Sequence, residues 1–469
     1  MGVFGSLPLL AVAVLAPVYL IAGLLALYLV LPPRTFRSPQ YRNRRPAENR
    51  SKFAWSTLAP IAILAGAAVG SVVVWYVGDV ANVFGVSPTW VDRIWVGAVV
   101  AGAFVAFLNV WRGRWWRRAI AVVSVAVFVL AGALAVNRDA SAYQTLAEAI
   151  GRSSVRALRL PTPTDTSPGP GSSRAPHVPF YAQSTVFDAQ LYKAWQAPAG
   201  MPRTGRVGTI DIPGVVSHFD ARPAIVYLPP AALVKDPPAL PVVIMLSGQP
   251  GDPNSLLISG HLTTTLDKLA RENHGLAPIV VIPDQLGSTY ANPMCVDGDL
   301  GNSATYLTTD VPAFITRHFR VARGTQAWAI GGFSEGGTCA IQLGAAHADL
   351  FGSFIDVSGE LGPTLASRAA TIRDGFEGSA VRYQRAQPSS ILAAHAPYPN
   401  FVAFFAVGQT DHSYRDAMVD NSEAAQAAGM HVIRDVIPHS GHDWSTATVG
   451  MADGLAYLYP RLGLASPSQ

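Results

Sequence analysis

The sequence predicts an α/β domain with a mainly parallel sheet, preceded by four transmembrane helices. Four long apolar stretches lie within the first 136 residues, and short β-branched runs alternate with helical patterns from about residue 180 onward. Composition agrees, because 50% of the residues are hydrophobic and only 14% are charged. Soluble chains carry about 25% charged residues. We therefore predict a bilayer part and a water-soluble part in one chain.

The four apolar stretches have the length of membrane spans, for which about 17–25 residues are needed. They are Leu7–Leu31, Leu58–Val77, Ile94–Trp111 and Ala119–Val136. A cleaved signal peptide is the alternative for the first stretch, but it is too long for one and lacks a basic segment in front. None of the four contains Asp, Glu, Lys or Arg. This favours a membrane anchor over a transport pathway.

Basic residues are concentrated in two loops between these stretches. Arg34–Lys52 holds seven basic residues and one acid, and Arg112–Arg118 holds four more basic residues. Because such loops stay cytoplasmic, we expect both termini on the outer side of the membrane. The two loops carry a net +10, which leaves −6 for the rest of a chain whose total is +4. A nucleic-acid-binding domain should be basic itself, so we exclude nucleic acid as a partner.

The predicted domain order is a four-helix anchor (1–136), an extracytoplasmic helix with a linker (137–179) and an α/β domain (180–469). Asn137–Leu160 is interpreted as a short polar helix. Pro161–Pro179 is rich in Pro, Ser, Thr and Gly, so it is interpreted as a linker that cannot bury a core.

Short apolar runs predict the strands of the α/β domain. They are Ala224–Tyr227, Val242–Leu246, Ile279–Ile282, Trp328–Gly331, Gly352–Val357 and Val402–Val407, with Val432–Val436 also strand-like. Helical patterns such as Thr305–Arg317 and Gly337–Ala346 lie between several of them. This alternation is typical of βαβ units around a buried, mainly parallel sheet.

The strongest chemical signal is the G-x-S-x-G motif Gly332-Phe333-Ser334-Glu335-Gly336. It follows a strand-like run and precedes a helical one, which is the context that a nucleophile elbow requires. Such a turn places the Ser334 hydroxyl at a helix N-terminus, where backbone N–H groups can stabilise an oxyanion. We therefore predict that Ser334 is a catalytic nucleophile in an α/β-hydrolase fold. The alternative is a Gly-rich turn with a purely structural role.

A serine hydroxyl needs a base, and in this fold the partners follow in the order Ser, acid, His. His442 lies in a small polar loop after the strand-like Val432–Val436, and Asp411 follows the strand-like Val402–Val407. We predict that His442 is the base and that Asp411 orients its imidazole. The alternatives kept open are His439 for the base and Asp416 or Asp420 for the acid.

The second N–H donor of an oxyanion hole is expected in the loop after an earlier strand. That loop is Ser247-Gly248-Gln249-Pro250-Gly251. Pro250 has no N–H to donate, so Gln249 is the predicted donor alongside the N–H of Glu335. An ordinary tight turn is the alternative.

These residues resemble the esterase D superfamily, which includes mycobacterial mycolyltransferases and bacterial feruloyl and acetyl-xylan esterases. The resemblance covers roughly Thr209–Leu458. It rests on Ala224–Pro230, Thr305–Pro312, the elbow and Gly441-His442-Asp443-Trp444. It implies Ser334 as nucleophile, Asp411 as acid, His442 as base and Gln249 as an oxyanion donor. Mycolyltransferases use a glutamate and lack membrane spans, and Asp310, which matches a family carboxylate, is interpreted as structural.

The two cysteines, Cys295 and Cys339, both fall in the α/β domain. Outside the membrane paired thiols tend to oxidise, so we expect a disulfide, with two buried free thiols as the alternative. The sequence contains no metal or nucleotide motif that we recognise, and serine hydrolase chemistry calls for no cofactor.

The expected function is a serine esterase that hydrolyses a lipid or cell-envelope ester through an acyl-enzyme at the outer membrane surface. One alternative is a mycolyltransferase-like acyltransferase that moves an acyl chain to a sugar or lipid acceptor. Another is a non-catalytic envelope-binding protein. The sequence leaves the oligomeric state open.

Overall fold

A computed structural model describes residues 7–32, 45–80, 88–112, 114–140, 142–143, 145–149, 155–158, 187–365 and 367–466, with backbone alone at 45–54, 112, 147 and 148. The predicted linker Pro161–Pro179 and most of the basic segment Arg34–Lys52 lie outside the described residues. The chain divides into two compact units, Met1–Arg152 and Ser153–Gln469.

The first unit is built from four long helices and one short one. They are α1 (Val12–Val30), α2 (Arg45–Trp75), α3 (Trp90–Arg112), α4 (Trp115–Ala140) and α5 (Leu146–Ala149). Each of the first four contains a segment long and apolar enough to cross a membrane. Helix α1 is shorter than the predicted stretch Leu7–Leu31, whereas α2, α3 and α4 begin before their predicted stretches and carry charged residues near their ends. Near the start of α3, for example, Arg93 pairs with Asp79 at 2.8 Å.

Arg117, in the first turn of α4, is buried inside this unit. Its guanidinium donates to the carbonyl oxygens of Leu29 at 3.0 Å and Leu31 at 2.5 Å, and also to the side chain of Asn109. The last carbonyls of a helix have no partner within the helix. Arg117 therefore caps the C-terminus of α1, and the carbonyl oxygens there stabilise its buried positive charge.

Small residues bring the helices of the first unit together. A Cβ at Gly66 of α2 would lie 2.6 Å from the Cα of Ala101 of α3, and one at Gly70 would lie 2.9 Å from the Cα of Gly97. Such close backbone approach is a common way for helices to associate in lipid. Elsewhere in the unit, side chains of α1, α2, α3 and α4 line an apolar cavity of about 420 Å³.

The second unit is built around an eight-stranded sheet. Its strands are β1 (Arg206–Ile210), β2 (Ala224–Leu228), β3 (Val242–Leu246), β4 (Ile279–Ile282), β5 (Trp328–Phe333), β6 (Ser353–Val357), β7 (Val402–Gly408) and β8 (His431–Ile437). Their order is β1-β2-β4-β3-β5-β6-β7-β8. Only β2 runs antiparallel to its neighbours β1 and β4, and the other pairs are parallel. This confirms the predicted α/β-hydrolase fold.

Helices occupy the connections between the strands. They are α6 (Leu191–Ala194), α7 (Pro253–Ile258), α8 (Leu262–Glu272), α9 (Ser303–Thr305), α10 (Val311–His318), α11 (Glu335–Ala346), α12 (Arg368–Ala370), α13 (Ala380–Arg385), α14 (Pro388–His395), α15 (His412–Ala427) and α16 (Trp444–Leu458). The strands β3 to β7 are buried along their whole length. They are therefore covered on both faces, as a mainly parallel sheet requires.

The strand predictions agree with the structure except at β1, the strand at one side of the sheet. The six predicted strands are confirmed, and two of them, Val242–Leu246 and Ile279–Ile282, have the predicted bounds. Strand β1 was not predicted. Before it, where one polar helix over Asn137–Leu160 was expected, α4 continues to Ala140, α5 follows, and Leu158 donates its N–H to the carbonyl of Thr209 in β1.

The loops that carry the predicted site residues lie at one edge of the sheet. The parallel strands β3, β4, β5, β6 and β7 all end there, and the antiparallel β2 begins there, because Ile225 pairs with Ile282 at the end of β4. Open α/β sheets bind ligands outside the carboxyl ends of their strands. The site is therefore expected at this edge, which we call the functional edge.

Candidate active site

Ser334 lies in the turn between β5 and α11, with φ 59° and ψ −122°. A positive φ is unusual for a residue with a side chain, and such strain recurs at active sites. Two glycines make the turn possible. A Cβ at Gly332 would overlap the backbone of Gly336, and one at Gly336 would lie 2.5 Å from the carbonyl oxygen of Ser247. Strand and helix can therefore approach closely enough to hold Ser334 at the functional edge.

The structure brings Ser334, His442 and Asp411 together. The Ser334 Oγ lies 2.9 Å from Nε2 of His442, and Nδ1 of the same ring lies 3.0 Å from Oδ2 of Asp411. The Ser334 and Asp411 residues are buried, and the His442 side chain is 14% exposed. A carboxylate that accepts from Nδ1–H leaves Nε2 free to accept the serine proton. This arrangement can activate a serine hydroxyl as a nucleophile.

Hydrogen bonds between two loops hold the acid and the base side by side. Asp411 directly precedes α15, and His442 lies two residues before α16. The N–H and the hydroxyl of Thr410 donate to the carbonyl of Ser440 at 2.9 and 2.8 Å. The hydroxyl of Thr446 donates to the carbonyl of Gly441 at 2.7 Å. The carboxyl end of β7 is therefore joined to the loop that carries His442.

The alternatives left open by the sequence do not join this group. His439 is exposed, and its N–H donates to the side chain of Gln409 at 3.0 Å. Asp416 and Asp420 are exposed residues of α15. Asp310 also lies apart from the triad, where its carboxylate accepts from the N–H groups of Val216 at 2.8 Å and Ser217 at 3.0 Å. Asp310 thus anchors the loop before β2.

Two aromatic rings enclose the imidazole of His442. The ring of Tyr414 stacks on it with centroids 3.8 Å apart, and that of Phe333 with centroids 5.0 Å apart. Phe333 also packs against Trp444 at 5.3 Å. The sequence analysis did not predict these ring contacts, and it did not single out Tyr414 at all. A signal was present for Tyr414, since it lies three positions after Asp411 at the start of a helix and so falls on the same face.

The two predicted oxyanion donors flank Ser334. Glu335 is the first residue of α11, whose N–H has no acceptor within the helix. The loop with Gln249 packs directly on the nucleophile, because a Cβ at Gly248 would lie 3.2 Å from the Cβ of Ser334. Among the hydrogen bonds of the described residues, neither N–H has a protein acceptor. Both N–H groups therefore stay the predicted oxyanion donors.

An ion pair between the half-buried Arg222 and the buried Asp284 supports the Gln249 loop. Arg222 donates from Nε at 2.9 Å and Nη2 at 2.8 Å to the two carboxylate oxygens of Asp284. The same Nη2 donates to the carbonyl of Gly251 at 2.9 Å, and the N–H of Gly251 donates to the carbonyl of Thr289 at 3.1 Å. Bidentate pairs of this kind fix orientation as well as adding energy.

Cys295 and Cys339 form a disulfide beneath the elbow, as expected from the sequence. The Glu335 side chain lies against it, with Oε1 3.0 Å from the Cys339 sulfur, and its Oε2 accepts from Nε2 of Gln285 at 3.0 Å. Among the described residues, these two cysteines and Glu335 are the group with metal-ligand spacing, but both sulfurs are used in the disulfide. The disulfide braces α11 against the loop after β4.

Burial also changes the titration of carboxyls behind the nucleophile. It raises the pKa of Glu335 to about 7, with the hydrogen bond from Gln285 opposing the effect. The pKa of Glu360 is raised to about 8 by burial and by the neighbouring Glu335. Burial likewise raises the pKa of Asp356 to about 7. Near neutral pH these carboxyls are therefore partly protonated. They carry less negative charge behind the nucleophile, where an oxyanion would form.

Large apolar side chains are exposed on loops of the functional edge. Val215 and Val216 lie on the loop before β2, Tyr290 and Leu300 on the loop after β4, and Leu361 on the loop after β6. Tyr290 is next to the oxyanion loop, since its carbonyl accepts from the Gln249 side chain at 3.3 Å. Exposed apolar groups around a site are typical of surfaces that meet apolar ligands or membranes.

Comparison with known proteins gives a family and one curated relative. A family model described as "Putative esterase" matches residues 220–453. An uncharacterized protein of Corynebacterium glutamicum is 33% identical over 313 residues, which are 65% of this chain and 71% of that protein.

Solved structures also match the chain. An S-formylglutathione hydrolase from Agrobacterium tumefaciens is 21% identical with a TM-score of 0.46, covering 56% of this chain and 97% of its own. A ferulic acid esterase from the anaerobic fungus Anaeromyces mucronatus is 18% identical with a TM-score of 0.44, covering 57% of this chain and 95% of its own.

Proposed function

Because the chain belongs to this esterase family of α/β-hydrolases and is a hydrolase, we propose that it cleaves a carboxylic ester through an acyl-enzyme. Ser334 is the nucleophile, His442 the base and Asp411 the acid that orients the imidazole. The observation that carries the proposal is the unbroken pair of hydrogen bonds from Ser334 Oγ to His442 and from His442 to Asp411.

The reaction proceeds in two halves. Ser334 Oγ bonds to the ester carbonyl carbon while its proton passes to Nε2 of His442, and the carbonyl electron pair moves onto oxygen. The carbon–oxygen bond to the alcohol then breaks, and the alcohol leaves with the proton from Nε2. Water attacks the acyl-enzyme in the same way, with His442 again taking and returning a proton. The products are a carboxylic acid and free Ser334.

The oxyanion formed in each half is stabilised by the N–H groups of Gln249 and Glu335. Loss of one such donor typically costs about 10²–10³ in kcat. Arg222 and the disulfide act indirectly, by fixing the loop and the helix that present these two N–H groups.

The proposed substrate is a lipid or cell-envelope ester, met at the outer face of a membrane. Two observations support this choice. Exposed apolar side chains surround the functional edge, and four N-terminal helices are long and apolar enough to anchor the chain in a bilayer. The basic loops Arg34–Lys52 and Arg112–Arg118 support a topology with the hydrolase unit outside.

The activity is tested with the full chain in detergent and p-nitrophenyl esters from acetyl to palmitoyl. We expect turnover that increases with acyl length up to a medium or long chain and is lost in Ser334→Ala. Lipid extracts from a deletion strain should accumulate an ester that the wild-type gene removes and Ser334→Ala does not. A well-folded wild-type protein that cleaves no ester would overturn the proposal. An acylated sugar or lipid product, instead of free acid, would make the protein an acyltransferase.

The location is tested with protease added to intact spheroplasts. Cleavage within Pro161–Pro179 should release the hydrolase unit, and lysed cells serve as the control for accessibility. Protection of this segment in intact cells, with cleavage only after lysis, would contradict the outer location.

A further inference from the structure

The side-chain amide of Gln285 bonds to both segments that carry a predicted oxyanion donor. Its Nε2 donates to the carbonyl oxygen of Ser247 at 2.6 Å and to Oε2 of Glu335 at 3.0 Å. Ser247 begins the loop that contains Gln249, and Glu335 directly follows the nucleophile. One side chain therefore links the loop to the start of α11.

The sheet topology explains how Gln285 reaches both segments. Strand β3 lies between β4 and β5 and runs parallel to both. Gln285 lies just after β4, Ser247 just after β3 and Glu335 just after β5. The three residues therefore meet at the functional edge, where the amide spans the end of β3 and reaches the segment after β5.

Two acceptors fix the orientation of the Gln285 amide. Both hydrogens of Nε2 are used, and Gln285 and Ser247 are fully buried. Within the described residues, Oε1 has no hydrogen-bond partner. The reverse orientation would place Oε1 against the carbonyl oxygen of Ser247, and two acceptors cannot bond to each other. Hydrogen bonds in such a buried setting are also stronger than in water.

Adjacent residues hold the two ends of the Gln249 loop. Gln285 bonds to the carbonyl of Ser247 at its start. The preceding residue, Asp284, pairs with Arg222, which donates to the carbonyl of Gly251 at its end. The Asp284 carboxylate also accepts from two N–H groups that follow it in the chain, those of residues 286 and 287. The segment that carries Gln285 is therefore itself anchored.

The other acceptor of the amide, Glu335, is held from two sides. Its Oε1 lies 3.0 Å from the Cys339 sulfur, and its Oε2 accepts from Gln285. Glu335 is the first residue of α11. Fixing its side chain therefore also fixes the backbone N–H that this residue presents at the helix start.

We propose that Gln285 is a positioning residue of the oxyanion hole. Its amide sets the separation between the N–H groups of Gln249 and Glu335, so that both meet the same substrate oxygen. Such donors act at about 2.7–3.1 Å from the position of the oxyanion, so a small shift of the loop would remove one of them. This inference rests on the proposed acyl-enzyme mechanism.

The test uses the full chain in detergent with Gln285→Leu, which keeps the size of the side chain and removes both hydrogen bonds. The substrates are p-nitrophenyl butyrate and the matching thionoester, in which sulfur replaces the carbonyl oxygen. Because sulfur is a weak acceptor, the thionoester depends less on the two N–H donors. We expect Gln285→Leu to lower kcat/KM for the oxygen ester about 10- to 100-fold, since small misplacements of reacting groups have effects of this size. The ratio of kcat/KM for the oxygen ester to that for the thionoester should fall about 10-fold.

This ratio separates positioning from stability. Both substrates meet the same folded fraction of enzyme, so partial unfolding cancels in the ratio. Gln285→Asn keeps the amide but is one methylene shorter, so it should give a ratio between those of wild type and Gln285→Leu. It also decides the test if Gln285→Leu does not fold.

Gln342→Leu is the matched control. Gln342 is also buried, and its Oε1 likewise has no partner among the described residues. Its Nε2 donates to the carbonyl of Ala386 at 3.4 Å, which belongs to neither oxyanion segment. This variant should lower the melting temperature about as much as Gln285→Leu and keep the wild-type ratio.

A wild-type ratio in folded Gln285→Leu, or in Gln285→Asn where the first variant does not fold, would overturn the inference. An equal fall of the ratio in Gln342→Leu would also overturn it, because the effect would then follow from any buried amide. If Ser334→Ala is inactive in these assays, the proposed function stands without the inference. Full turnover by Ser334→Ala would refute the proposed function itself.

Discussion

The two units of the chain place polar and apolar groups in opposite ways. In the helical unit, large apolar side chains such as Leu24 and Leu64 face outward, and backbones approach at small residues such as Gly66. In the hydrolase unit, large side chains such as Tyr306 and Phe405 are buried, and ionisable groups such as Glu335 and Asp356 are buried behind the nucleophile. The outward-facing apolar groups of the first unit are those expected of helices that could lie in a bilayer, and the buried core of the second unit is that expected in water.

The two units also differ in the groups that surround a buried ionisable side chain. Arg117 in the helical unit is balanced by carbonyl oxygens at the C-terminus of α1. Glu335 in the hydrolase unit has one hydrogen-bond donor, from Gln285, and its pKa rises to about 7. Raised pKa values of this kind concentrate at functional sites. The site is therefore expected in the second unit, and changes in the two units should have separable effects.

The largest expected effect is on turnover in the hydrolase unit. Ser334→Ala and His442→Ala should each reduce kcat by about 10⁶, and the double variant should be no worse, because triad members act as a unit. Asp411→Asn should cost about 10⁴. Asp416→Ala, on the exposed face of α15, is the control and should stay within about threefold. Steady-state kinetics with a p-nitrophenyl ester measure all five variants, and additive losses in the double variant would contradict the triad.

Removal of the disulfide should have the next largest effect. The Cys295→Ala, Cys339→Ala double variant should lose about 2–4 kcal/mol of unfolding free energy, since the bond closes a loop of 44 residues. Thermal unfolding of the hydrolase unit, monitored through the loss of its activity, measures this change in the free energy of unfolding. Wild-type protein in reductant is the control and should behave like the double variant. Two alkylatable thiols in freshly isolated, unreduced protein would rule out the bond.

A methyl group added at the helix contact should destabilise only the first unit. At Gly66 a Cβ would lie 2.6 Å from the Ala101 backbone, so Gly66→Ala should cost about 1–3 kcal/mol through overpacking. At Gly23 of α1 nothing lies within 4 Å, so Gly23→Ala is the control and should be neutral or stabilising. Unfolding of the helical unit in detergent measures the difference. Equal stability of the two variants would argue against close packing of α2 on α3.

The remaining prediction concerns the pH dependence of stability. Folded Glu335, with a pKa of about 7, keeps a proton that the unfolded chain releases near pH 4.5. Its contribution to the free energy of unfolding should therefore fall as pH rises from about 4.5 to 7 and then level off. Glu335→Gln removes this titration and should gain stability relative to wild type across that window, by up to about 3 kcal/mol. Melting temperatures measured at pH 5 and pH 7.5 test this. A constant difference between the two proteins would contradict it.

The sequence predicted the features that depend on strong local patterns. Val242–Leu246 and Ile279–Ile282 are continuous β-branched runs between turn residues, and such runs identify strands buried on both faces. The elbow around Ser334 was recognisable because its glycines are required for a specific close approach. The chain order Ser, acid, His then limited the candidates for the acid and the base to a few residues.

Features that depend on neighbours distant in sequence were not predictable. Strand β1, Arg206–Ile210, is only partly buried and has no strong alternation, so its pairing with β2 decides its conformation. The contact between Glu335 and the disulfide depends on how α11 meets the loop after β4. The stacking of Phe333 on His442 requires the end of β5 to meet the loop before α16, more than 100 residues later in the chain.

Covalent labelling of Ser334 tests the central claim most directly. The full chain, in detergent, is treated with a fluorophosphonate probe, and the product is analysed by intact mass and by peptide mapping. We predict one adduct per chain, on the peptide containing Ser334, with none on Ser334→Ala and strongly slowed formation on His442→Ala. A folded wild-type protein that takes no label, or one labelled at a different serine, would contradict the account.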